Sequence, residues 1–167
     1  MRGKQNEVKA AALALVKASK PGDELCIVDF NDEAYLDADL TTDFARATDA
    51  LTRVDSRGGS ALRDAIQMSV DLVEQKARNK KVLVLITDGD DTSSAFTEEQ
   101  VRDKIKNSGV LVYSIELLNE QDSGKASEAR RTLTQLAALT GGLYYHPEAP
   151  AEVRSMASEI ERDARNQ

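Results

Sequence analysis

The spacing of hydrophobic and polar residues alternates along the chain between the period of a helix and that of a strand. Within residues 4–19, apolar side chains recur at i, i+3, i+4, i+7 and i+8 from Val8, which predicts an amphipathic helix. Pro21-Gly22-Asp23 ends this helix because proline and glycine interrupt helical structure. Residues 25–30 form a short apolar run that contains one acid, which predicts a buried strand.

The same reading divides the rest of the chain into alternating elements. Residues 35–40 alternate, with Leu36, Ala38 and Leu40 on one face, and the turn Asn31-Asp32 makes this segment an antiparallel edge partner of strand 25–30. Helices are predicted at about 43–53, 61–78, from Thr97, 126–139 and 150–164, and strands at 82–87, 110–115 and 143–145. The order predicts an α/β fold, a single three-layer αβα domain over residues 1–167 with a Rossmann-like, mostly parallel sheet.

The strand at 82–87 ends in a dense polar cluster. Five apolar residues, 82–86, are followed by Thr87 and then by three acids and three hydroxyl side chains within residues 88–94. Ligands of open α/β sheets bind beyond the carboxyl ends of the strands, and oxygen-rich sites suit Mg2+, Mn2+ or Ca2+. The alternative is that these residues are turn and cap residues only.

Composition excludes several classes of function. The net charge is −7 with charges of both signs interspersed, which argues against nucleic acid as a partner because its recognition needs a basic patch. No apolar stretch reaches the length of a membrane span. Cys26 is the only cysteine, so a cysteine-based zinc site is excluded, and its apolar surroundings predict a buried thiol.

A second polar loop precedes the helix predicted at 61–78. Gly58-Gly59 would allow close approach of the backbone, and Ser60 is either the N-cap of that helix or a cation ligand. Asp29 and Asp32 lie at the end of the neighbouring strand; turn residues are the simpler interpretation, and a position near Asp88 at the rim of its site is the alternative. His146 is the only histidine, and a satisfied or surface histidine is the simpler interpretation.

Two motifs in this order, 58–66 (Gly-Gly-Ser-Ala-Leu-Arg-Asp-Ala-Ile) and 83–91 (Leu-Val-Leu-Ile-Thr-Asp-Gly-Asp-Asp), resemble the von Willebrand factor type A domain. The resemblance implies a metal-ion-dependent adhesion site in which Ser60 stands at the position of a threonine ligand and Asp88 at that of the aspartate. It implies Mg2+ or Mn2+ in the intact domain, and a protein partner whose acidic side chain completes the coordination. A secreted or envelope-associated parent protein is also implied.

The family's Asp-x-Ser-x-Ser motif does not occur in this chain. The resemblance implies that the chain begins just after the strand and loop that carry this motif, so cation binding is expected to be weak or absent. The missing strand would lie between strands 25–30 and 82–87. We therefore expect either that these two strands pair directly or that a segment of a neighbouring chain fills the gap, and open edges would favour self-association.

The leading prediction is a non-enzymatic protein-binding module, since no set of nucleophile and general base is evident. The alternative is a Mg2+-dependent phosphatase, because Asp88 and Asp90 follow a strand at the spacing found in haloacid-dehalogenase-like enzymes. No later acidic pair completes such a site. A third alternative is that the chain by itself has no activity.

Overall fold

The computed structural model describes residues 5–54, 58–77, 80–117, 123–148 and 152–166, with side chains described for 127–148 in the fourth segment. Its helices are α1 (Gln5–Ala18), α2 (Phe44–Arg53), α3 (Leu62–Lys76), α4 (Glu98–Ser108), α5 (Ser123–Ala138) and α6 (Glu152–Asn166). Its strands are β1 (Leu25–Phe30), β2 (Ala34–Thr41), β3 (Lys81–Thr87), β4 (Val110–Glu116) and β5 (Tyr144–Tyr145).

The strands form two separate groups. β1 and β2 make an antiparallel pair, and β3, β4 and β5 make a parallel sheet in that order. The predicted αβα class with its antiparallel edge strand is confirmed. The direct pairing of strand 25–30 with 82–87 is wrong, because among the described residues β1 pairs with β2 alone and β3 with β4 alone.

Alternation along β4 produces the two apolar faces of the parallel sheet. Val110 and Val112 pack into a core with α3, α4 and α5, whereas Leu111, Tyr113 and Ile115 pack on the opposite side with α1 and α6. A third cluster joins α1 and α2 to Leu25 and Ile27 of β1. Helices therefore cover both faces, as expected for parallel sheets.

The predicted buried face of β2 is only partly correct. Leu36 and its neighbour Tyr35 are each 43% exposed, while Asp37 and Ala38 are both half-buried. The cause is the pairing register: Ile27 faces Ala38 but Val28 faces Leu36, so Asp37 is an extra residue. A bulge of this kind breaks the alternation of side chains.

The helix termini follow local sequence signals where these exist. Thr97 caps α4 through the backbone N–H of Gln100, whose side chain accepts from the Thr97 N–H in return, as the predicted capping box requires. Cys26 is half-buried against the core, and burial raises the pKa of its thiol. No described helix has both the length and the apolar character that crossing a membrane requires.

A cavity of about 830 Å3, which we call the slot, separates β1 from β3. Every residue of β1 and residues 81–86 of β3 line it. Both strands start near the end of α6, where Lys80 donates to the Ala164 carbonyl at 2.6 Å and Arg165 donates to Asp23 at 2.6 Å. Both end at the loop 58–60, so the two strands run in the same direction.

We predict that Gly142→Ala destabilises the domain by more than about 3 kcal/mol, beyond the usual range for overpacking. A Cβ at Gly142 would overlap the carbonyl oxygen of Val112 in β4, which cannot move without disturbing the sheet. Urea denaturation measures the loss. Gly109→Ala is the comparison, because its Cβ meets nothing within 4 Å and only its left-handed backbone, at about 1–2 kcal/mol, opposes the change. An equal loss of unfolding free energy in both variants would contradict the close contact between Gly142 and the Val112 carbonyl.

Candidate functional site

The carboxyl ends of β1 and β3 are joined by the loop 58–60. On one side the Gly59 N–H donates to Asp32 Oδ1 at 2.6 Å, and the Ala61 N–H donates to the Asn31 carbonyl at 2.7 Å. On the other side the Ser60 hydroxyl donates to the Asp90 carbonyl at 2.7 Å. The loop thus lies between the two strand ends and is hydrogen-bonded to both.

Gly58 and Gly59 allow the close approach that the sequence suggested, and the group that approaches is Asp32. A Cβ at Gly58 would meet Asp32 Oδ2 at 2.5 Å, and one at Gly59 would meet Oδ1 at 2.7 Å. Gly58 also has a φ of +101°, which other residues rarely adopt. Asp32 therefore lies beside the loop 58–60, and its proximity to Asp88 stays a prediction.

Ser60 is not the N-cap of α3. Ala61 occupies the cap position and makes no side-chain cap bond. Instead, the Ser60 N–H donates to Thr92 Oγ1 at 3.0 Å, and its carbonyl accepts from the N–H groups of Thr92 and Ser93. A hydroxyl that donates keeps its lone pairs, so the role of Ser60 as a cation ligand stays a prediction.

The cap of α3 comes from the loop after β3. Asp91 Oδ2 accepts from the Arg63 N–H at 2.8 Å, and Ser94 Oγ accepts from the Asp64 N–H at 3.2 Å. Asp91 also forms an ion pair with the Arg63 guanidinium at 3.0 Å. These contacts satisfy N–H groups that a helix start leaves unbonded.

The Asp91 carboxylate is only 13% exposed. Burial acts to raise its pKa, but the hydrogen bonds from Arg63 and Ser94 outweigh burial and lower it. In return, Asp64 accepts the N–H groups of Ala95 and Phe96. Asp91 was not singled out from the sequence, because Ser60 stands directly before the helix as a local candidate for its cap and only the structure places Ala61 in the cap position.

The two predicted metal ligands lie at the same mouth of the slot. Ser60 and Asp88 both line the slot. Asp88 is half-buried, whereas Asp90 is exposed. The described residues contain no group of three or more acidic, histidine or cysteine side chains close enough to share a metal ion. One hydroxyl and one carboxylate fall well short of the roughly six oxygen ligands that a hard cation takes, so the donors described do not fit a complete cation site.

A buried acid lies at the end of β4, one strand away. Glu116 is fully buried and accepts from Tyr144 and, at 3.4 Å, from Arg130. His146 Nδ1 is 3.5 Å from the same carboxylate oxygen. Burial raises the pKa of Glu116, and Arg130 and His146 oppose that rise. His146 therefore lies beside a buried acid. The only local signal for this cluster is an acid at a strand end.

The comparisons with known proteins identify the family. A family model described as the von Willebrand factor type A domain matches residues 1–90, which include the loop 58–60 and the start of the loop after β3. The chain belongs to the von Willebrand factor type A domain family. Type A domains are protein-interaction modules and in general are not enzymes. A comparison with curated proteins found no match.

Solved structures share the type A fold at low sequence identity. A von Willebrand factor type A protein from Catenulispora acidiphila has a TM-score of 0.79 at 18% identity, covering 98% of this chain and 38% of that one. The vWF domain of the type V pili tip protein Mfa5 from Porphyromonas gingivalis has a TM-score of 0.76 at 11% identity, covering 98% and 88%. Proximal thread matrix protein 1 from the mussel byssus, with a zinc-occupied MIDAS motif, has a TM-score of 0.71 at 17% identity, covering 95% of this chain and 40% of that one.

We predict that Asp91→Ala lowers the free energy of unfolding by about 1–3 kcal/mol at pH 7, because it removes a helix cap and leaves buried N–H groups unsatisfied. Asp90→Ala is the matched control: its exposed side chain predicts a change within about 0.5 kcal/mol. Urea denaturation measures both.

The difference in stability between wild type and Asp91→Ala should depend on pH. Because the folded-state pKa of Asp91 is lowered, its contribution is complete above the unfolded-state pKa, about 3.9, and is lost as pH falls through the folded-state value. The stability gap between wild type and Asp91→Ala should therefore narrow in acid. A gap that widens below pH 4 would contradict the ion pair.

Proposed function

We propose that this A domain is a non-enzymatic protein-binding module that uses the loops at the carboxyl ends of β1 and β3. The observation that carries the proposal is the bridge from Asp32 through Gly59-Ser60 to Asp90 and Thr92. It fixes two loops from distant parts of the chain as one surface. Binding residues are often found on loops that a rigid scaffold positions.

The acidic side chains of this surface determine which partner chemistry it favours. Asp32, Asp88 and Asp90 lie around the loop 58–60, while the neighbouring Arg63 is engaged by Asp91. An acidic partner would meet like charges, which disfavours association. In the absence of a cation we therefore infer a partner that presents basic or hydrogen-bond-donating groups here.

Ser60 and Asp88 remain the residues that we propose for cation contact in a fuller site. The mussel byssus protein of the same fold, with its zinc-occupied MIDAS motif, supports a divalent cation at this place in such domains. The donors described here are too few for tight binding. The idea that a partner carboxylate completes the coordination depends on donors that the described residues do not supply.

Isothermal titration of the 167-residue chain with MgCl2 and with MnCl2 tests the cation proposal. We expect no saturable binding tighter than about 1 mM, because water would have to supply most ligands. Ser60→Ala and Asp88→Asn should then leave the titration unchanged. Micromolar affinity that either substitution abolishes would show that the site is complete.

Selection of binders from a displayed random-peptide library, in buffer with a chelator, tests the partner chemistry. We expect enrichment of lysine- and arginine-containing peptides, and at least about a tenfold loss of affinity for Asp90→Lys, since charge reversal opposes them. Asp103→Lys, on exposed α4, is the matched control. Enriched peptides that bind Asp90→Lys as well as wild type would place recognition elsewhere.

No observation favours the phosphatase alternative. The Asp90 side chain is exposed, and its carbonyl, rather than its carboxylate, takes part in the loop bridge. A generic phosphate ester assayed with Mg2+ should show no turnover above buffer.

A further inference from the structure

Phe96, on the loop between β3 and α4, is a large apolar residue that is 39% exposed. Its backbone is nevertheless held in place. Asp64 Oδ1, in the first turn of α3, accepts the Phe96 N–H at 3.0 Å, and the same carboxylate accepts the Ala95 N–H. Thr97, the next residue, is the N-cap of α4. The exposed aromatic residue therefore stands on a backbone that hydrogen bonds fix on both sides.

The same contacts bring Phe96 close to the loop surface that carries Asp90. Asp91 and Phe96 are hydrogen-bonded to adjacent residues at the start of α3. The Cα atoms of adjacent residues are about 3.8 Å apart, whereas six residues of extended chain would span about 20 Å. The loop is thus folded back on the start of α3, and two exposed residues, Asp90 and Phe96, stand at its two ends.

The chain around Phe96 is acidic. Residues 88–101 include five acids and no lysine, arginine or histidine. Arg63 of α3 and Arg102 of α4 already form ion pairs with acids of this stretch. An exposed aromatic ring attracts cations through its face, and the surrounding carboxylates attract them by charge. The surface therefore favours a partner group that is cationic and can also cover a ring.

The guanidinium group of arginine meets both requirements. It is planar, stacks on aromatic faces and pairs with carboxylates in a bidentate manner, whereas the lysine ammonium is compact and strongly hydrated. A wholly apolar partner group would desolvate the acids without compensating their charge. A second copy of this chain carries a net charge of −7, and like charges oppose association. A separate protein that presents arginine is the occupant that the chemistry favours.

Building on the loop surface proposed above, we propose that the partner presents an arginine whose guanidinium stacks on Phe96 and bonds to the Asp90 carboxylate. Phe96 is then a specificity-determining residue of this surface, because it selects arginine over lysine at equal charge. Asp90 supplies the attraction that both cations share.

The test uses two blocked seven-residue peptides in which three arginines, or three lysines, alternate with glycine. Each is titrated into the 167-residue chain at low salt with a chelator, and NMR shifts give the affinity. We expect the arginine peptide to bind about two- to fivefold more tightly, the range that a cation over an exposed ring provides. It should also shift the ring protons of Phe96.

A matched pair of variants locates the preference. Phe96→Leu keeps an apolar side chain but removes the ring, so the ratio of the two affinities should fall to about one. Tyr35→Leu makes the same kind of change at an aromatic residue of β2 that is 43% exposed, and it should keep the preference for arginine. The amide spectrum of β4 checks that each variant is folded.

Three results would overturn the proposal. They are equal affinities of the two peptides for wild type, a preference for arginine that survives Phe96→Leu, and Phe96 signals that shift on dilution of the peptide-free chain, which would assign the ring to a second copy. If Asp90→Lys still weakens both peptides, the loop surface stands without Phe96. If Asp90→Lys weakens neither peptide, the loop surface falls as well.

Discussion

The main constraint on the described part of this chain is that its two groups of strands share no backbone ladder there, so other contacts must hold β1 and β2 against β3, β4 and β5. Two sets of contacts do so. At the carboxyl ends, the loop 58–60 is bonded to Asp32 on one side and to Asp90 and Thr92 on the other. At the opposite end, Lys80 donates to the carbonyl of Ala164 in α6, and Arg165 of α6 donates to the Asp23 carboxylate. Packing of α1 and α3 completes the connection, and the slot remains between the strands.

This arrangement links stability to the candidate site. Asp91 caps α3 and pairs with Arg63, so the loop that carries Asp88 and Asp90 is fixed to the helix that follows Ser60. Partly buried contacts of this kind are costly to break because they leave donors unsatisfied. The backbone of the surface that we propose for partner binding is therefore held by these contacts, while the exposed Asp90 side chain is available for contact.

Periodicity predicted the helices and strands well, since an amphipathic helix and a buried apolar run leave local signals. That the loops at Ser60 and Asp88 belong to one site was implied by the resemblance to the type A domain, because Ser60 lies between two helices, α2 and α3, rather than at the end of a strand. Two features could not be read locally. The cap of α3 by Asp91 depends on a loop nearly thirty residues away, and the bulge at Asp37 depends on pairing register. The buried Glu116 likewise depends on Tyr144 and Arg130, which only tertiary packing brings to it.

Amide hydrogen exchange of the 167-residue chain, read residue by residue by NMR, tests the central claim most directly. In β4, the backbone N–H groups of Val110, Val112 and Ser114 point away from β3 and donate to Ser108, Thr140 and Leu143 respectively. The other side of β4 pairs with β3. Amide protection along β4 should therefore be continuous. In β3, every second amide faces the slot, so protection should alternate along residues 81–87 and along β1. Continuous protection in both strands, accompanied by cross-strand NOEs between them, would show that β1 and β3 pair directly and would contradict the account.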